Sequence, residues 1–297
     1  MQNYFIKKKK TLLVIGANGQ LGSELGSLAP LYSNYNMIFV NRQSLDVTQY
    51  ADIERYLLKY DINIIINCSA YTNVIEAENE LTIAEAVNVT AVRNLAKLSH
   101  KHSVQLIHIS TDSVFNGSKS YPYTECDITD PLNAYSRSKL GGEQAMILVN
   151  PKNSVIIRTS WLYSKYGNNF VKTILQLATE KKEISVVNDQ IGSPTHAKDL
   201  AVLIMNILPN ISNEDVEVYH YSNGGFTTWY GFAKQIISLS GKNCTVLPIS
   251  TATFGAPVNR PAYSVLATNK LIQYFNIEVL DWKHSLKKCL IDMGIHK

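Results

Sequence analysis

Short apolar runs alternate with longer amphipathic segments in the first half of the chain. The apolar runs have strand length and are predicted to be buried strands. They occupy residues 11–15, 36–40, 62–67 and 104–109. Segments with helical periodicity, such as residues 50–60 and 76–100, separate them. Strands that alternate with helices indicate a parallel sheet covered on both faces, so the sequence predicts an α/β fold with a Rossmann-type doubly wound parallel sheet.

The second half alternates less regularly and predicts a smaller, mixed α/β substrate domain. Strand-like runs occupy residues 154–157, 184–187, 216–221 and 246–250. Helical patterns cover residues 167–181 and 197–208, begin again at residue 227, and cover residues 280–293. We expect residues 1–160 to form a dinucleotide-binding domain to which residues 184–212 return. Residues 161–183 and 213–297 are expected to form the substrate domain, and no linker-like stretch separates the two.

Composition narrows the class of protein. The chain has 297 residues, of which 45% are hydrophobic and 18% charged, as in globular proteins of one or two domains. The net charge of +4 owes much to a basic run at residues 7–10, predicted to be a solvated arm. Without a second basic cluster we expect no nucleic-acid partner. No signal-peptide core precedes this run and no apolar run reaches membrane-spanning length, so we expect a cytoplasmic protein without a membrane partner.

Cysteine usage points to the same compartment. The four cysteines are scattered along the chain, and no Cys-x-x-Cys pair is present. This spacing argues against a zinc site or a disulfide framework and favours a reducing environment.

A glycine-rich loop joins the first predicted strand to the first helix. Residues 16–22 have the sequence Gly-Ala-Asn-Gly-Gln-Leu-Gly. Glycines let backbone amides approach a pyrophosphate, and the helix N-terminus favours its negative charge. A glycine loop alone is weak evidence, but its position between strand and helix strengthens it. The predicted cofactor contacts here are Gly16, Asn18, Gly19, Gln20, Leu21 and Gly22.

The ends of the next two strands complete the predicted cofactor site. Many NAD-binding folds place an acid after the second strand, for the ribose 2′-hydroxyl. Here Arg42 occupies this region and suits the 2′-phosphate of NADP(H), although a surface arginine is an equal alternative. Asp46 has helix capping as its alternative role. We therefore expect NADPH, with NADH as the alternative, to contact Asn41, Arg42, Asp46, Val47, Ala70 and Tyr71.

A tyrosine and a lysine four residues apart on a predicted helix suggest acid–base chemistry. Tyr135 and Lys139 share one helix face, so the ammonium is expected near the phenol and should lower its pKa. Such a phenol suits general acid–base catalysis. Thr111 follows the fourth strand, where its hydroxyl can hydrogen-bond a substrate carbonyl. A chance surface pair and a simple Ser/Thr turn are the alternatives.

Together these motifs resemble those of the extended short-chain dehydrogenase/reductases and, among them, the dTDP-4-dehydrorhamnose reductase family. The glycine loop and the Tyr–Lys pair are typical of the superfamily, whereas residues 158–161 (Arg-Thr-Ser-Trp) and 188–195 are more specific. Further matching stretches are residues 70–72, 110–112, 131–135, 139–143, 162–163, 167–170 and 260–261. The resemblance implies NAD(P)H-dependent reduction of the C4 keto group of dTDP-4-dehydro-β-L-rhamnose to dTDP-L-rhamnose. It assigns Tyr135 as proton donor and has Lys139 hold the nicotinamide ribose.

The resemblance also implies a site for the dTDP-linked keto-sugar. Trp161 would offer a flat apolar face to the sugar, with a core tryptophan as the alternative. Arg260 would bind the diphosphate, with a surface arginine as the alternative. The full predicted set is Thr111, Asp112, Trp161, Asn169, Gln190 and Arg260.

The chain departs from the family pattern at three positions in this site region. The family usually has an aromatic residue, an asparagine and an aspartate where Ser113, Tyr263 and Ala267 stand. Some relatives dimerise through acidic residues around Mg²⁺. Glu24 matches one such residue, but Lys198 occupies another, so we expect no metal and either a monomer or a homodimer.

Two other functions are consistent with the motifs. One is another nucleotide-sugar 4-keto reductase or epimerase of the same superfamily. The other is a non-catalytic regulatory subunit with the same fold, which the loss of the tyrosine or the lysine would indicate. Both residues are present, so this second alternative ranks below the enzymes.

Overall fold

The computed structural model describes residues 9–295. Residues 1–8, which include the first half of the predicted basic arm, lie outside the described residues. In chain order the strands are β1 (Lys10–Ile15), β2 (Tyr35–Val40), β3 (Ile62–Asn67), β4 (Gln105–Thr111), β5 (Val155–Thr159), β6 (Leu162–Tyr163), β7 (Glu183–Val187), β8 (Ile191–Gly192), β9 (Thr195–His196), β10 (Glu217–His220), β11 (Thr227–Thr228) and β12 (Thr245–Ile249). The α-helices are α1 (Gln20–Leu28), α2 (Tyr50–Tyr60), α3 (Leu81–Glu85), α4 (Ala91–His102), α5 (Ala134–Val149), α6 (Phe170–Glu180), α7 (Ala197–Ile207), α8 (Trp229–Ser240), α9 (Thr251–Phe254), α10 (Asn269–Phe275) and α11 (Trp282–Asp292).

One six-stranded parallel sheet organises the molecule. Its strand order is β10-β5-β4-β3-β1-β2. Because β1 pairs with β2 on one side and β3 on the other, the winding direction reverses between β1 and β3. Ligands of open α/β sheets bind at such a point, outside the carboxyl ends of the strands. The predicted Rossmann-type doubly wound fold is confirmed.

Helices cover both faces of this sheet. Side chains of β1 alternate between the faces. Leu12 and Val14 pack in the core that includes α1 and α7, whereas Leu13 and Ile15 pack in the core that includes α2 and α4. Burial on both faces explains why this strand has a continuous apolar run instead of an alternating one.

Two strands lie elsewhere than the sequence predicts. Residues 184–187 do not return to the large sheet, because β7 pairs with β12 in a separate two-stranded parallel sheet. Residues 217–220 do not belong to the substrate domain's sheets, because they form β10 at the edge of the large sheet beside β5. Both domain assignments are wrong for the same reason. A short strand-like run predicts a strand, but it does not predict the distant strand with which it pairs.

A second core lies around α6, α8 and α11. It buries Val171, Ile184, Phe232 and Leu286 together, so β7 belongs to this smaller domain. In contrast, α7 packs against α1 on the large sheet. The sequence pattern gave no prediction for α10, whose Leu271 is fully buried in the core of the large sheet.

Several features bear on the predictions that the protein has no membrane partner and no metal ion. Within residues 9–295 no helix is both long and apolar enough to cross a membrane. In the same range no cluster of three or more His, Cys, Asp or Glu side chains is placed to hold a metal ion. Glu24 is buried and accepts a hydrogen bond from Ser164 Oγ at 2.6 Å. Lys198 forms an ion pair with Asp292 at 2.5 Å.

Candidate active site

The glycine loop forms a tight turn at the carboxyl end of β1. Gly16 has a φ of +82°, and a Cβ atom there would lie 2.8 Å from the Ser69 nitrogen. A Cβ on Gly22 would lie 2.3 Å from the Gly16 oxygen. No side chain caps the first amides of α1, whose N-cap is Gly19. These amides face the crevice between β1 and β3, so the loop fits the pyrophosphate of a dinucleotide.

We predict opposite effects for two glycine-to-alanine substitutions in α1. Gly22→Ala forces the loop backbone to move and should cost about 1–3 kcal/mol of unfolding free energy, with weaker NADPH binding. Gly26→Ala is the matched control, because its Cβ would meet only the Phe39 ring at 3.7 Å. It should add roughly 0.4–1 kcal/mol by reducing the entropy of the unfolded chain. Urea unfolding and NADPH titration measure both; equal behaviour of the two variants would contradict the close approach at Gly22.

The end of β2 carries the residues predicted to recognise the adenosine half. The Asn41 side chain accepts hydrogen bonds from the amides of Gln43 and Ser44 at 3.0 and 3.1 Å and so shapes its own turn. Asp46 accepts from the amide and hydroxyl of Thr48 at 2.9 and 2.8 Å. These hydrogen bonds, helped by the charge of Arg42, lower the pKa of the Asp46 carboxyl. The position after β2 is thus cationic and exposed at Arg42, as binding of a 2′-phosphate requires.

Asp46 does not cap a helix. Helix α2 begins at Tyr50 and its N-cap is Gln49, so the Asp46 carboxylate closes a local turn instead. Val47 is buried beside it in the core that includes α2. The two residues form a fixed corner at the carboxyl end of β2.

The loop after β3 is fixed by a buried asparagine. Asn88 Oδ1 accepts from the Tyr71 amide at 2.9 Å, and Asn88 Nδ2 donates to the Tyr71 carbonyl at 3.0 Å and to Ser138 Oγ at 2.9 Å. Ser138 Oγ in turn donates to the Tyr135 carbonyl at 2.7 Å. Asn88 therefore ties the loop with Ala70 and Tyr71 to the helix that carries Tyr135. An asparagine within a helix was the only signal for this role in the sequence.

Thr111 and Tyr135 meet at the carboxyl edge of the sheet. Thr111 ends β4, and Tyr135 lies in the first turn of α5, whose N-cap Asn133 accepts from the Ser136 amide at 2.9 Å. The Thr111 hydroxyl is near enough to the Tyr135 phenol to influence its pKa. Burial, with a smaller contribution from Asp112, raises the pKa of Tyr135 to about 12, although nearby Thr111 and Arg260 oppose this shift.

Lys139 does not act on Tyr135 as the sequence predicts. Its Nζ atom donates to the Ile109 carbonyl at 2.7 Å, and burial lowers its pKa to about 8, against the charges of Glu143 and Cys68. The expected lowering of the Tyr135 pKa by this ammonium is therefore wrong for the protein alone. The four-residue spacing gives a shared helix face, but the long lysine side chain reaches a main-chain carbonyl of β4 instead.

Arg260 and Asp112 complete the charged surroundings of these hydroxyls. Asp112 is buried and accepts from Thr111 Oγ1 at 3.1 Å. Burial raises the Asp112 pKa to about 6, and hydrogen bonds from Ser264 and Thr111 oppose the shift. Burial also lowers the Arg260 pKa, against the charges of Asp112 and Tyr135. The structure thus brings four predicted residues, Thr111, Asp112, Tyr135 and Arg260, into one cluster.

The loop that carries Arg260 is held by contacts that sequence reasoning missed. Asn133 Nδ2 donates to the Asn259 carbonyl at 2.9 Å. Gly117 has a φ of +81°, and a Cβ there would lie 2.6 Å from the Ala262 nitrogen. A glycine after a predicted strand was the available signal, although it did not indicate the distant loop that packs there.

Two predicted substrate residues have other roles. Asn169 caps α6 through the Lys172 amide, and its Nδ2 atom donates to Ser164 O at 2.7 Å and to Gln20 Oε1 at 3.0 Å. Gln190 is only 6% exposed and donates to Thr251 Oγ1 at 3.0 Å. Both amides have internal partners in the protein alone, and their direct contact with the substrate stays a prediction. Gln20 likewise links the glycine loop to Leu162 O at 3.3 Å.

Trp161 lies near Thr111 at the same edge of the sheet. It follows β5 by two residues, and Thr159 of that strand is the register neighbour of Thr111. The indole is half-buried and stacks on Trp229. The indole packs at the margin of the second core, and its contact with the sugar stays a prediction.

A buried ion pair joins β5 to α5, the helix that carries Tyr135. Arg158 of β5 contacts Glu143 of α5 through Nη2 at 2.7 Å and through Nε at 3.0 and 3.1 Å. Ser110 Oγ also donates to Glu143. Arg158 Nη1 lies 3.4 Å from His220 Nε2, and His220 Nδ1 lies 3.1 Å from the Tyr123 carbonyl. Burial and the charge of Arg158 lower the His220 pKa to about 3, so the ring is neutral and accepts from Arg158 while donating to Tyr123.

The three departures from the family pattern fall around this cluster. Ser113 donates its amide to Thr111 Oγ1 at 3.2 Å. Tyr263 is buried with Phe115 and Tyr123 in a small apolar cluster. Ala267 donates its amide to the Tyr123 carbonyl at 2.7 Å. All three therefore contribute to the loops that surround the site.

Comparisons with known proteins agree with this geometry. Residues 10–295 match the family described as RmlD substrate binding domain. The chain is 39% identical over 285 residues to dTDP-4-dehydrorhamnose reductase of Aggregatibacter actinomycetemcomitans, covering 93% of this chain and 97% of that protein. It is 38% identical over 279 residues to the spore coat polysaccharide biosynthesis protein SpsK of Bacillus subtilis, covering 94% and 96% of the two chains.

A solved structure gives the same result in three dimensions. The crystal structure of dTDP-4-dehydrorhamnose reductase from Bacillus anthracis in complex with NADP has a TM-score of 0.91 and 39% identity, and the match covers 96% of this chain and 100% of that one. Family match, identity and fold agree along nearly the whole length of the chain. The chain therefore belongs to the dTDP-4-dehydrorhamnose reductase family and is an NAD(P)-dependent oxidoreductase.

Proposed function

We propose that this enzyme reduces the C4 keto group of dTDP-4-dehydro-β-L-rhamnose to give dTDP-L-rhamnose, with NADPH as the reductant. The observation that carries the proposal is the Thr111–Tyr135 hydroxyl pair at the carboxyl edge of the sheet. Lys139 is buried one turn further along α5, with its Nζ atom on the Ile109 carbonyl of β4, and the glycine loop follows β1 in the same sheet. The names of the relatives support the identity of the sugar nucleotide.

The cofactor would be held by residues at the ends of β1, β2 and β3. The amides of the glycine loop suit the pyrophosphate, and Arg42 suits the 2′-phosphate that distinguishes NADPH from NADH. When bound, NADPH supplies the hydride that reduces the carbonyl carbon. Asp46 and Val47 would contact the adenosine half, and Ala70 and Tyr71 would contact the cofactor after β3.

Tyr135 is the proton donor in this proposal. A pKa of about 12 keeps its hydroxyl protonated at neutral pH, as a group that must give a proton to a developing alkoxide requires. Thr111 Oγ1 donates to Asp112 in the protein alone; with substrate bound it would donate to the same oxygen instead and orient the carbonyl. One well-placed donor to a developing oxyanion contributes roughly 3 kcal/mol to transition-state stabilisation.

Lys139 and Arg260 are the proposed sources of positive charge for Tyr135 during the reaction. The Lys139 ammonium, which donates to the Ile109 carbonyl in the protein alone, would favour the phenolate left after proton transfer. Arg260 already acts on the Tyr135 pKa in the protein alone and would also attract the diphosphate of the substrate. Trp161 would pack against the sugar.

The pH dependence of kcat/KM should reveal the titration of Lys139. Because burial lowers its pKa to about 8, the ammonium is lost as the pH rises through that value instead of near the ordinary value of a lysine. We expect kcat/KM, which reports the free enzyme, to fall above pH 8 while circular dichroism shows an intact fold. Lys139→Arg is the control, because arginine stays protonated and its residual activity should lack this decline. A decline that starts only near the ordinary lysine pKa would contradict the assignment.

The stoichiometry of NADPH distinguishes the proposal from its alternatives. A reductase consumes one NADPH for each sugar reduced, whereas an epimerase regenerates its cofactor and shows no steady consumption. A regulatory subunit would bind without turnover. Continuous loss of NADPH absorbance at a rate proportional to protein concentration supports the proposal, and interconversion of sugars without it would refute it. A cytoplasmic location and a monomeric or homodimeric state stay predictions.

A further inference from the structure

Two tryptophans form a stacked pair at the substrate side of the site. The ring centroids of Trp161 and Trp229 lie 3.5 Å apart, with an angle of 7° between the ring planes. Phe170 of α6 packs on Trp229 at 4.6 Å. Trp161 follows β5 of the large sheet, whereas Trp229 begins α8 of the smaller domain. The stack therefore joins the two parts of the molecule beside Thr111.

The backbone of Trp161 has a conformation that needs support. Its φ is +45°, in the left-handed region that non-glycine residues rarely adopt and that persists only where the surroundings hold it. Gly192 packs so closely on the indole that a Cβ there would lie 2.5 Å from Trp161 Cε2. Trp229 supplies a flat aromatic surface for the same ring. These two contacts fix the orientation of the indole.

A chain of hydrogen bonds fixes Trp229 in turn. Its Nε1 atom donates to Gln190 Oε1 at 3.2 Å, and Gln190 Nε2 donates to Thr251 Oγ1 at 3.0 Å. Thr251 Oγ1 donates to Asp189 at 2.6 Å. The buried Gln190 amide thus supports the Trp229 indole through both of its polar atoms.

The same supports lead to the Arg260 loop. Thr228, next to Trp229, pairs with Ile191, and the Ile191 amide donates to the Ala262 carbonyl at 2.8 Å. Ala262 lies two residues from Arg260. Trp229 thus belongs to a continuous series of contacts that runs from Trp161 to the loop of Arg260. These are the two residues proposed above to contact the sugar and the diphosphate.

We infer that Trp229 is a positioning residue for sugar-nucleotide binding, which acts by holding the Trp161 indole against the substrate. This inference rests on the proposed function. The ring contacts and the indole hydrogen bond of Trp229 go to Trp161, Phe170 and Gln190, and not to Thr111, Tyr135 or the glycine loop. Its loss should therefore weaken binding of the sugar nucleotide without slowing the chemical step or changing NADPH affinity. When an interaction is equally strong in the bound state and in the transition state, its loss raises KM and leaves kcat unchanged.

The test compares Trp229→Leu with two controls. Trp229→Phe keeps an aromatic ring for the stack and loses only the indole N–H. Trp282→Phe alters another tryptophan of the same domain, which packs edge-on against Phe232 with ring centroids 5.7 Å apart and lies in the second core. Steady-state assays give kcat and KM for the keto-sugar nucleotide. Calorimetry gives the Kd for dTDP-L-rhamnose and for NADPH.

For Trp229→Leu we expect KM and the dTDP-L-rhamnose Kd to rise roughly threefold to tenfold, the loss that corresponds to one aromatic stack. The value of kcat and the Kd for NADPH should stay unchanged. Trp229→Phe should restore most of the affinity, and Trp282→Phe should leave KM unchanged.

Three results would overturn the inference. An unchanged KM in Trp229→Leu would show that the stack does not position the substrate. An equal rise in Trp282→Phe would show a general effect of the domain. If the wild-type chain neither binds dTDP-L-rhamnose nor turns over the keto-sugar, the proposed function itself fails and the inference with it.

Discussion

Replacing Tyr135 with phenylalanine is expected to lower kcat by about 10²- to 10⁴-fold, the usual contribution of a positioned general acid. The variant removes the hydroxyl that lies near Thr111 but keeps the ring in the first turn of α5. The glycine loop is untouched, so NADPH binding should be preserved. Stopped-flow measurement of a single turnover separates the chemical step from binding and product release.

Tyr163→Phe is the matched control for this experiment. Tyr163 is a fully buried tyrosine, whereas Tyr135 is half-buried. The Tyr163 hydroxyl has no hydrogen-bond partner among the described residues, and its ring lies in the second core. Its removal should leave kcat and KM unchanged. If Tyr135→Phe kept wild-type turnover, another group would have to donate the proton, and the assignment of Tyr135 would be wrong.

Replacing Glu143 with leucine should cost about 3–5 kcal/mol of unfolding free energy, because it leaves the guanidinium of Arg158 buried and unpaired. The side chains of Arg158 and Glu143 are only 6% and 1% exposed. Ser110 Oγ also donates a hydrogen bond to the Glu143 carboxylate. Urea unfolding at neutral pH, with the midpoint and slope fitted separately, measures the loss.

The double variant Glu143→Leu/Arg158→Leu tests the cause. When both charges are removed together, no buried charge is left unpaired, and the stability should recover substantially towards that of the wild type. If the double variant were as unstable as the sum of the two single variants, the pair would not be coupled, and the buried ion pair would not be what holds α5 against β5.

Much of the fold was predictable because its signals are local. Both faces of β1 and β3 are buried, so these strands appear as continuous apolar runs, and the glycine loop directly follows the first of them. Their alternation with helices then leaves few topologies, because parallel strands need crossover connections. The position of Thr111 at the end of β4 and of Tyr135 at the start of α5 follows from the same pattern.

The partners of short strands were not predictable. The segments that form β7 and β10 each show a short strand-like run, yet β7 pairs with β12 and β10 pairs with β5. These pairings depend on contacts far apart in sequence, which no local pattern encodes. The domain boundaries inferred from chain order therefore failed at both strands.

The chemistry of the site was predictable in residue type but not in detail. Spacing places Tyr135 and Lys139 on one helix face, but it does not show that Lys139 binds the Ile109 carbonyl or that burial raises the Tyr135 pKa. Likewise, Asn169 and Gln190 have the polar character of ligand contacts. Their amides are used inside the protein, which only the tertiary structure reveals.

The most direct test of the reductase assignment follows NADPH absorbance with the purified protein and dTDP-4-dehydro-β-L-rhamnose made in situ from dTDP-glucose. We predict steady oxidation of NADPH, with one molecule of dTDP-L-rhamnose recovered for each NADPH consumed. Binding of NADPH without oxidation, or oxidation that yields a different sugar nucleotide, would contradict it.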